Sequence, residues 1–273
     1  MKKLEVYSTR NGGQISYRVY GDETGFPILV HHGLLGSSLL PDSWSVHAKE
    51  ARLRLLAIDR PGYGESTATG QLKSISDWGA WIAPLLDELK IGDFGTIAVS
   101  AGAPYAWAEA WYFKERVKQL WLLSAVPTVF NQKILSHYPR EERESYERFK
   151  SSSEGEIAQD YYDSLKELQR QFKDTDGVKR RIDAALSNAC VGVAREAKMQ
   201  VSDWGFEAAA LGVPMEFWHS PKDDMVPIAA VEAMIAPWPH AILHLQDKKS
   251  HFPSKETVDE VFESIKTKLS TRF

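Results

Sequence analysis

Several things are scarce in this sequence. It holds one cysteine, Cys190, among 273 residues, which excludes an internal disulfide framework and a thiolate metal cage. A spanning helix needs roughly 20 apolar residues, and the nearest stretch, residues 97–113, is shorter and interrupted by Ser100, Gly102, Pro104 and Glu109. Charge of one sign is not in excess: 33 Lys and Arg face 37 Asp and Glu, a net charge of −4. That balance offers no footprint for nucleic acid or for an anionic membrane. The spacings H-E-x-x-H, C-x-x-C, G-x-x-x-x-G-K-[ST] and G-x-G-x-x-G are all missing, so no metal or nucleotide cofactor is expected. The opening run Met1-Lys2-Lys3-Leu4-Glu5 meets charge again at Glu5 and has no apolar core of a signal peptide. A cytoplasmic location is the expectation.

What the chain does have is an ordinary globular composition, 43% apolar and 26% charged, together with nine tryptophans. Two alternating runs, Leu4 to Tyr7 and Ile15 to Tyr20, flank Asn11-Gly12-Gly13 and predict a β-hairpin. Short apolar runs follow at Pro27 to His31, Leu53 to Ile58, Thr96 to Val99 and Val117 to Leu123, separated by helical patterns. This alternation predicts a mostly parallel sheet covered on both faces. Over residues 131–203 the texture changes to dense charge of both signs with helical periodicity, as at Ile157, Tyr161, Leu165 and Leu168. The strand–helix alternation then resumes at Val213. A charged helical block is therefore inserted into an α/β protein.

In an open parallel sheet the reacting groups gather beyond the carboxyl ends of the strands. That rule selects loops beginning at His32, Asp59, Ser100 and about Ser220, and the later loop carrying His251. Ser100 lies in Ala98-Val99-Ser100-Ala101-Gly102, where small residues two positions to either side suit a sharp strand-to-helix elbow. The plainer reading is a helix-capping serine. A serine hydroxyl becomes nucleophilic only beside a base held by a third group. Among eight histidines, His251 follows the last strand and precedes the last helix, whereas His31 and His32 close an early strand and shape its turn. The acid on a neighbouring strand end is Asp223, with Asp224 as the alternative. The order Ser, Asp, His is the one such an elbow requires.

With these residues in place the sequence resembles the α/β-hydrolase superfamily. The resemblance rests on His32-Gly33, Asp59-Arg60-Pro61-Gly62-Tyr63-Gly64-Glu65-Ser66, the Ser100 elbow running into Ala103-Pro104-Tyr105, Asp223-x-x-Val226-Pro227, and Ser250-His251-Phe252-Pro253. Two positions depart from the family pattern: Ala98 and Ser220 stand where glycine is usual. The resemblance implies an eight-stranded, mostly parallel sheet with helices on both faces, formed by residues 1–129 and 210–273, and a helical cap at 130–209. It favours Asp223 over Asp224, four residues before Pro227. It also implies that Ser100 attacks a carbonyl carbon, His251 carries the proton and Asp223 orients the imidazole, with the N–H groups of Leu34 and Ala101 binding the oxyanion. Tyr105, Phe130 and Trp204 are the expected substrate contacts. His32 and the Asp59–Ser66 turn are expected to be structural. The implied activity is that of a cofactor-independent serine hydrolase, cleaving a small or medium carboxylic ester through an acyl-enzyme. The alternative is a ligand-binding sensor of the same fold with slow or no turnover. The partner in either case is a small molecule.

Overall fold

Apolar runs without polar alternation are stable as strands only when both faces are covered, and five strands of the sheet have that character. They are β3 (Phe26–His31), β4 (Leu53–Ile58), β5 (Phe94–Val99), β6 (Val117–Leu123) and β7 (Met215–His219). The computed structural model describes residues 2–10, 12–68, 72–171 and 178–270. These five strands pair in parallel in the order β4-β3-β5-β6-β7. The short β8 (Ile242–Leu245) adds in parallel to β7 at one edge. At the other edge β1 (Glu5–Ser8) and β2 (Gln14–Gly21) form the expected hairpin, with β2 antiparallel to β4. In its turn Gly12 has a φ of +79°, where a side chain is strained; Asn11, like Met1 of the opening run, lies outside the described residues.

Successive strand residues face opposite ways, which divides the interior into two layers. Ile28, Val30, Leu55, Ala57, Ile97 and Trp121 pack against α1 (Asp42–Glu50) and α10 (Lys255–Ser270). Leu29, Leu56, Ile58, Ala98 and Leu122 face α2 (Asp77–Glu88), α3 (Ala103–Phe113) and α9 (Ile228–Ile235). Helix α3 is apolar nearly all round, as a helix buried on most sides must be. Trp78, Trp107, Trp121, Trp204 and Trp218 are fully enclosed. Trp111, also on α3, is 42% exposed and stacks on Phe206 at 5.9 Å between ring centres.

Between β6 and β7 the chain runs through five helices among the described residues: α4 (Gln132–Leu135), α5 (Arg140–Ser151), α6 (Glu154–Gln171), α7 (Val178–Ser187) and α8 (Val191–Gln200). This is the charged block of the sequence. Its return to the sheet is fastened by Trp204, whose ring stacks on Trp107 of α3 at 5.6 Å and whose carbonyl accepts from the Ser76 N–H at 2.9 Å. Among the described residues no helix is long and apolar enough to cross a membrane.

The strand order positions the chemistry. From β3 the chain steps outward to β4 and then returns to the opposite side of β3 to lay down β5. The loops leaving β3 and β5 therefore diverge at a topological switch point, where α/β sheets open a crevice.

Candidate active site

The first residue after β5 is Ser100, with a φ of +52°. A left-handed serine followed at once by a helical turn makes the backbone reverse sharply, and the hydroxyl is left standing at the bend. Such a turn demands small neighbours. A Cβ on Gly102 would lie 2.8 Å from the His31 carbonyl oxygen and 2.9 Å from that of His32, so no larger residue fits. Ala98 is fully buried and paired across to His31 and Leu122, and the sheet accommodates its methyl group. Ser100 itself is only partly buried.

Three side chains from three loops meet here. Ser100 Oγ lies 2.7 Å from His251 Nε2, and His251 Nδ1 lies 2.9 Å from Asp223 Oδ2 and 3.1 Å from Oδ1. The network assigns the proton on His251 to Nδ1, donating to the carboxylate, so that Nε2 accepts from the hydroxyl. The Asp223 side chain is fully enclosed, and its Oδ1 accepts the N–H groups of Met225 and Val226, both at 2.9 Å. Burial pushes the Asp223 carboxyl up, but the His251 partner and these two N–H groups outweigh it and hold its pKa below the usual carboxylate value. Asp224, the alternative acid, is exposed. Ser220, which stands where glycine was expected, is buried; its hydroxyl donates to the Lys248 carbonyl and accepts the Lys222 N–H at 3.0 Å. One side chain thus laces the acid loop to the histidine loop. His219 packs behind them, 2.9 Å from the Val226 carbonyl, and burial lowers its pKa.

Gly33 lies against the serine: a Cβ built on it would be 3.5 Å from Ser100 Cβ. Ala101 continues directly from Ser100 into the helical turn. Leu34, three residues beyond the end of β3, and Ala101, two beyond the end of the parallel β5, follow strands that end at the same edge of the sheet as Ser100. The hydrogen-bonded row gives the Ser100 proton a path to an imidazole whose far side is neutralised by a buried carboxylate.

The three expected substrate contacts are placed differently. Tyr105 is buried under the Arg60 guanidinium, 4.8 Å from the ring centre. Trp204 is fully enclosed in its stack on Trp107, and Phe130, half-buried, meets it edge-on at 5.3 Å. A cavity of about 500 Å³ opens beside Asp223, with His137, Tyr138, Glu142, Asp224 and Met225 in its wall, and none of those three aromatics lines it.

Two buried networks went unread in the sequence. Fully buried Glu109 on α3 faces His31 Nε2 at 2.7 Å and accepts from Trp78 Nε1 at 3.0 Å and Thr96 Oγ1 at 2.8 Å. Arg60 is paired with Glu196 of α8. Glu196 follows Arg195 and stands two residues before Lys198, so its local setting resembles that of the solvated acids in the same block. Asp59 and Ser66 are structural as expected, with Asp59 Oδ2 accepting from Ser16 and Ser38 hydroxyls at 2.7 and 2.8 Å.

Known proteins share this architecture. An esterase from Exiguobacterium antarcticum superposes with a TM-score of 0.76 at 18% identity, covering 99% of this chain and 100% of that one. A bromoperoxidase from Bacillus anthracis gives 0.68 at 18% identity, covering 98% and 100%. At such identities the likeness is one of fold. In sequence, the uncharacterised hydrolase YcgS of Bacillus subtilis (strain 168) is 37% identical over 127 residues, 46% of this chain and 43% of that protein, so the chain matches less than half the length of that relative. The family model described as alpha/beta hydrolase fold matches residues 27–256, from the second residue of β3 to the first turn of α10. The chain belongs to the α/β-hydrolase family.

Proposed function

We propose that this chain is a serine hydrolase that cleaves a small or medium carboxylic ester through an acyl-enzyme on Ser100. The observation that carries the reading is the continuous row from Ser100 Oγ through His251 to Asp223, with spacings of 2.7 and 2.9 Å. In this reading His251 Nε2 takes the hydroxyl proton as Oγ attacks the ester carbonyl, and Asp223 stabilises the imidazolium that forms. The tetrahedral oxyanion is held by the N–H groups of Leu34 and Ala101. Collapse expels the alcohol with the proton from His251, and water repeats the sequence to free the acid. The helical insertion acts as the cap over this end of the sheet. The esterase neighbours agree with this chemistry without fixing the acyl or alcohol group.

Labelling with a fluorophosphonate probe tests the reading. Ser100 of the wild type is expected to label rapidly, with the label lost in Ser100→Ala and slowed in His251→Ala, and p-nitrophenyl esters are expected to turn over. A folded wild type that takes up no label and hydrolyses no ester would exclude the nucleophile and leave a binding protein of the same fold.

A further inference from the structure

The peptide joining Gly33 to Leu34 is held from its carbonyl side. The Gly33 oxygen accepts from the Gly36 N–H at 2.9 Å, lies 2.8 Å from His32 Nδ1, and is reached by Arg60 Nη2 at 3.4 Å. Arg60 Nη1 donates to the preceding carbonyl, that of His32, at 2.7 Å. In a trans peptide the N–H points away from the C=O. Donors gathered on the Gly33 oxygen therefore turn the Leu34 N–H to the opposite side. The next carbonyl, that of Leu34, accepts the Tyr63 hydroxyl at 2.7 Å.

Arg60 does not hold this pose alone. It is fully buried, and Glu196 of α8 meets it with both carboxylate oxygens, Oε1 accepting from Nε and Oε2 from Nη2 at 2.9 Å. Burial opposes the guanidinium charge, but the Glu196 carboxylate more than restores it, and the Arg60 pKa is raised. The two elements touch closely enough to fix the pair. A Cβ on Gly62 would stand 2.8 Å from the Gly192 Cα, one on Gly192 would stand 2.6 Å from the Tyr63 ring, and Asn188 donates to the Gly64 carbonyl at 2.9 Å. Helix α8 of the insertion is thus seated on the turn whose Arg60 and Tyr63 grip residues 33 and 34.

A buried ion pair is weak as a stabiliser, since well-packed apolar residues of similar volume often do as well. A guanidinium differs from them in its extra directed donors. Here Nη1 donates to the His32 carbonyl at 2.7 Å, and Nη2, beyond its bond to Glu196, lies 3.0 Å from His32 Nδ1 and 3.4 Å from the Gly33 carbonyl, so it holds both the ring and the peptide. We propose that Arg60 and Glu196 are positioning residues for the reaction at Ser100. The ion pair supplied across the insertion aims the Leu34 N–H at the developing oxyanion. The proposal rests on Ser100 being the nucleophile. It makes the seating of α8 a condition for full transition-state binding, and assigns part of the Asp59–Ser66 turn a role beyond structure.

The test uses the full-length chain as wild type, Glu196→Gln, and the paired variant Arg60→Met with Glu196→Met, which leaves no uncompensated charge. Competent serines are counted by fluorophosphonate end-point titration, and kcat and KM for p-nitrophenyl acetate are measured per titrated site across pH. Removing one oxyanion donor costs about 10²–10³ in kcat; misaiming one is expected to lower kcat about 10- to 100-fold, with KM moved less than about threefold. The acid limb of the pH profile stays in place, because the His251–Asp223 contact is untouched. A pair that merely stabilises the fold would reduce the number of competent serines but not the rate at each. Wild-type kcat per titrated site in the paired variant, or in Glu196→Gln where it folds, overturns the proposal. Absence of label in the wild type overturns the Ser100 reading itself, which separates the two failures.

Discussion

Ser100 occupies a backbone conformation that an L-residue enters at a cost of about 1–2 kcal/mol, with a φ of +52° at the bend between strand and helix. Glycine enters that region without the Cβ conflict. Ser100→Gly and Ser100→Ala are both expected to lose ester turnover, yet the glycine variant should be the more stable by about 1 kcal/mol, as read from urea unfolding. Equal stabilities would show the elbow to be unstrained. Much of this site was legible residue by residue. Ser100, Asp223 and His251 each follow a strand end, and a small-residue elbow is a local signature. Choosing between Asp223 and Asp224 from the residues alone was not possible, because both are loop carboxylates and only the fold buries one. Trp204 posed the same difficulty, since a pocket wall and a packed seam both call for a large aromatic side chain.

Helix α3 carries a carboxylate into the interior, which asks more of its neighbours than its apolar sequence suggests. Glu109 accepts from Trp78 of α2 and Thr96 of β5 and faces His31 of β3, tying three elements beneath the elbow. Glu109→Ala leaves these buried groups without their partner, and is expected to lower unfolding free energy by about 3–5 kcal/mol. Chemical denaturation checks this, and a loss below about 1 kcal/mol would mean that the network contributes little. The strands and core helices were legible because continuous apolar runs and helical stripes are local patterns. Neither Glu109 nor Glu196 was. Glu196 pairs with a residue 136 positions away, and in a block so rich in charge nothing local separates a buried acid from solvated ones.

Global unfolding is linked to pH through Asp223. Its folded pKa lies below the ordinary carboxylate value, so the folded state binds this proton less readily than the unfolded chain. The resulting stabilisation is complete above the unfolded pKa of about 3.9 and is lost as pH falls through the lower folded value. Asp223→Asn is therefore expected to be less stable than wild type near neutral pH, with the gap narrowing below about pH 4. Thermal melts of the two proteins at several pH values check this, and a gap that widened on acidification would reverse the assignment. The sheet core and the helical insertion unfold in whatever order their contacts dictate, and one of those contacts is optically active. Trp107 belongs to α3 and Trp204 to the chain returning from the insertion, and their rings stack at 5.6 Å with 22° between planes. Aromatic rings fixed in an asymmetric packing give near-ultraviolet circular dichroism that disappears when the packing loosens. Loosening of the seam between insertion and core thus takes away part of the near-ultraviolet signal, a change readable without a label and without a substrate.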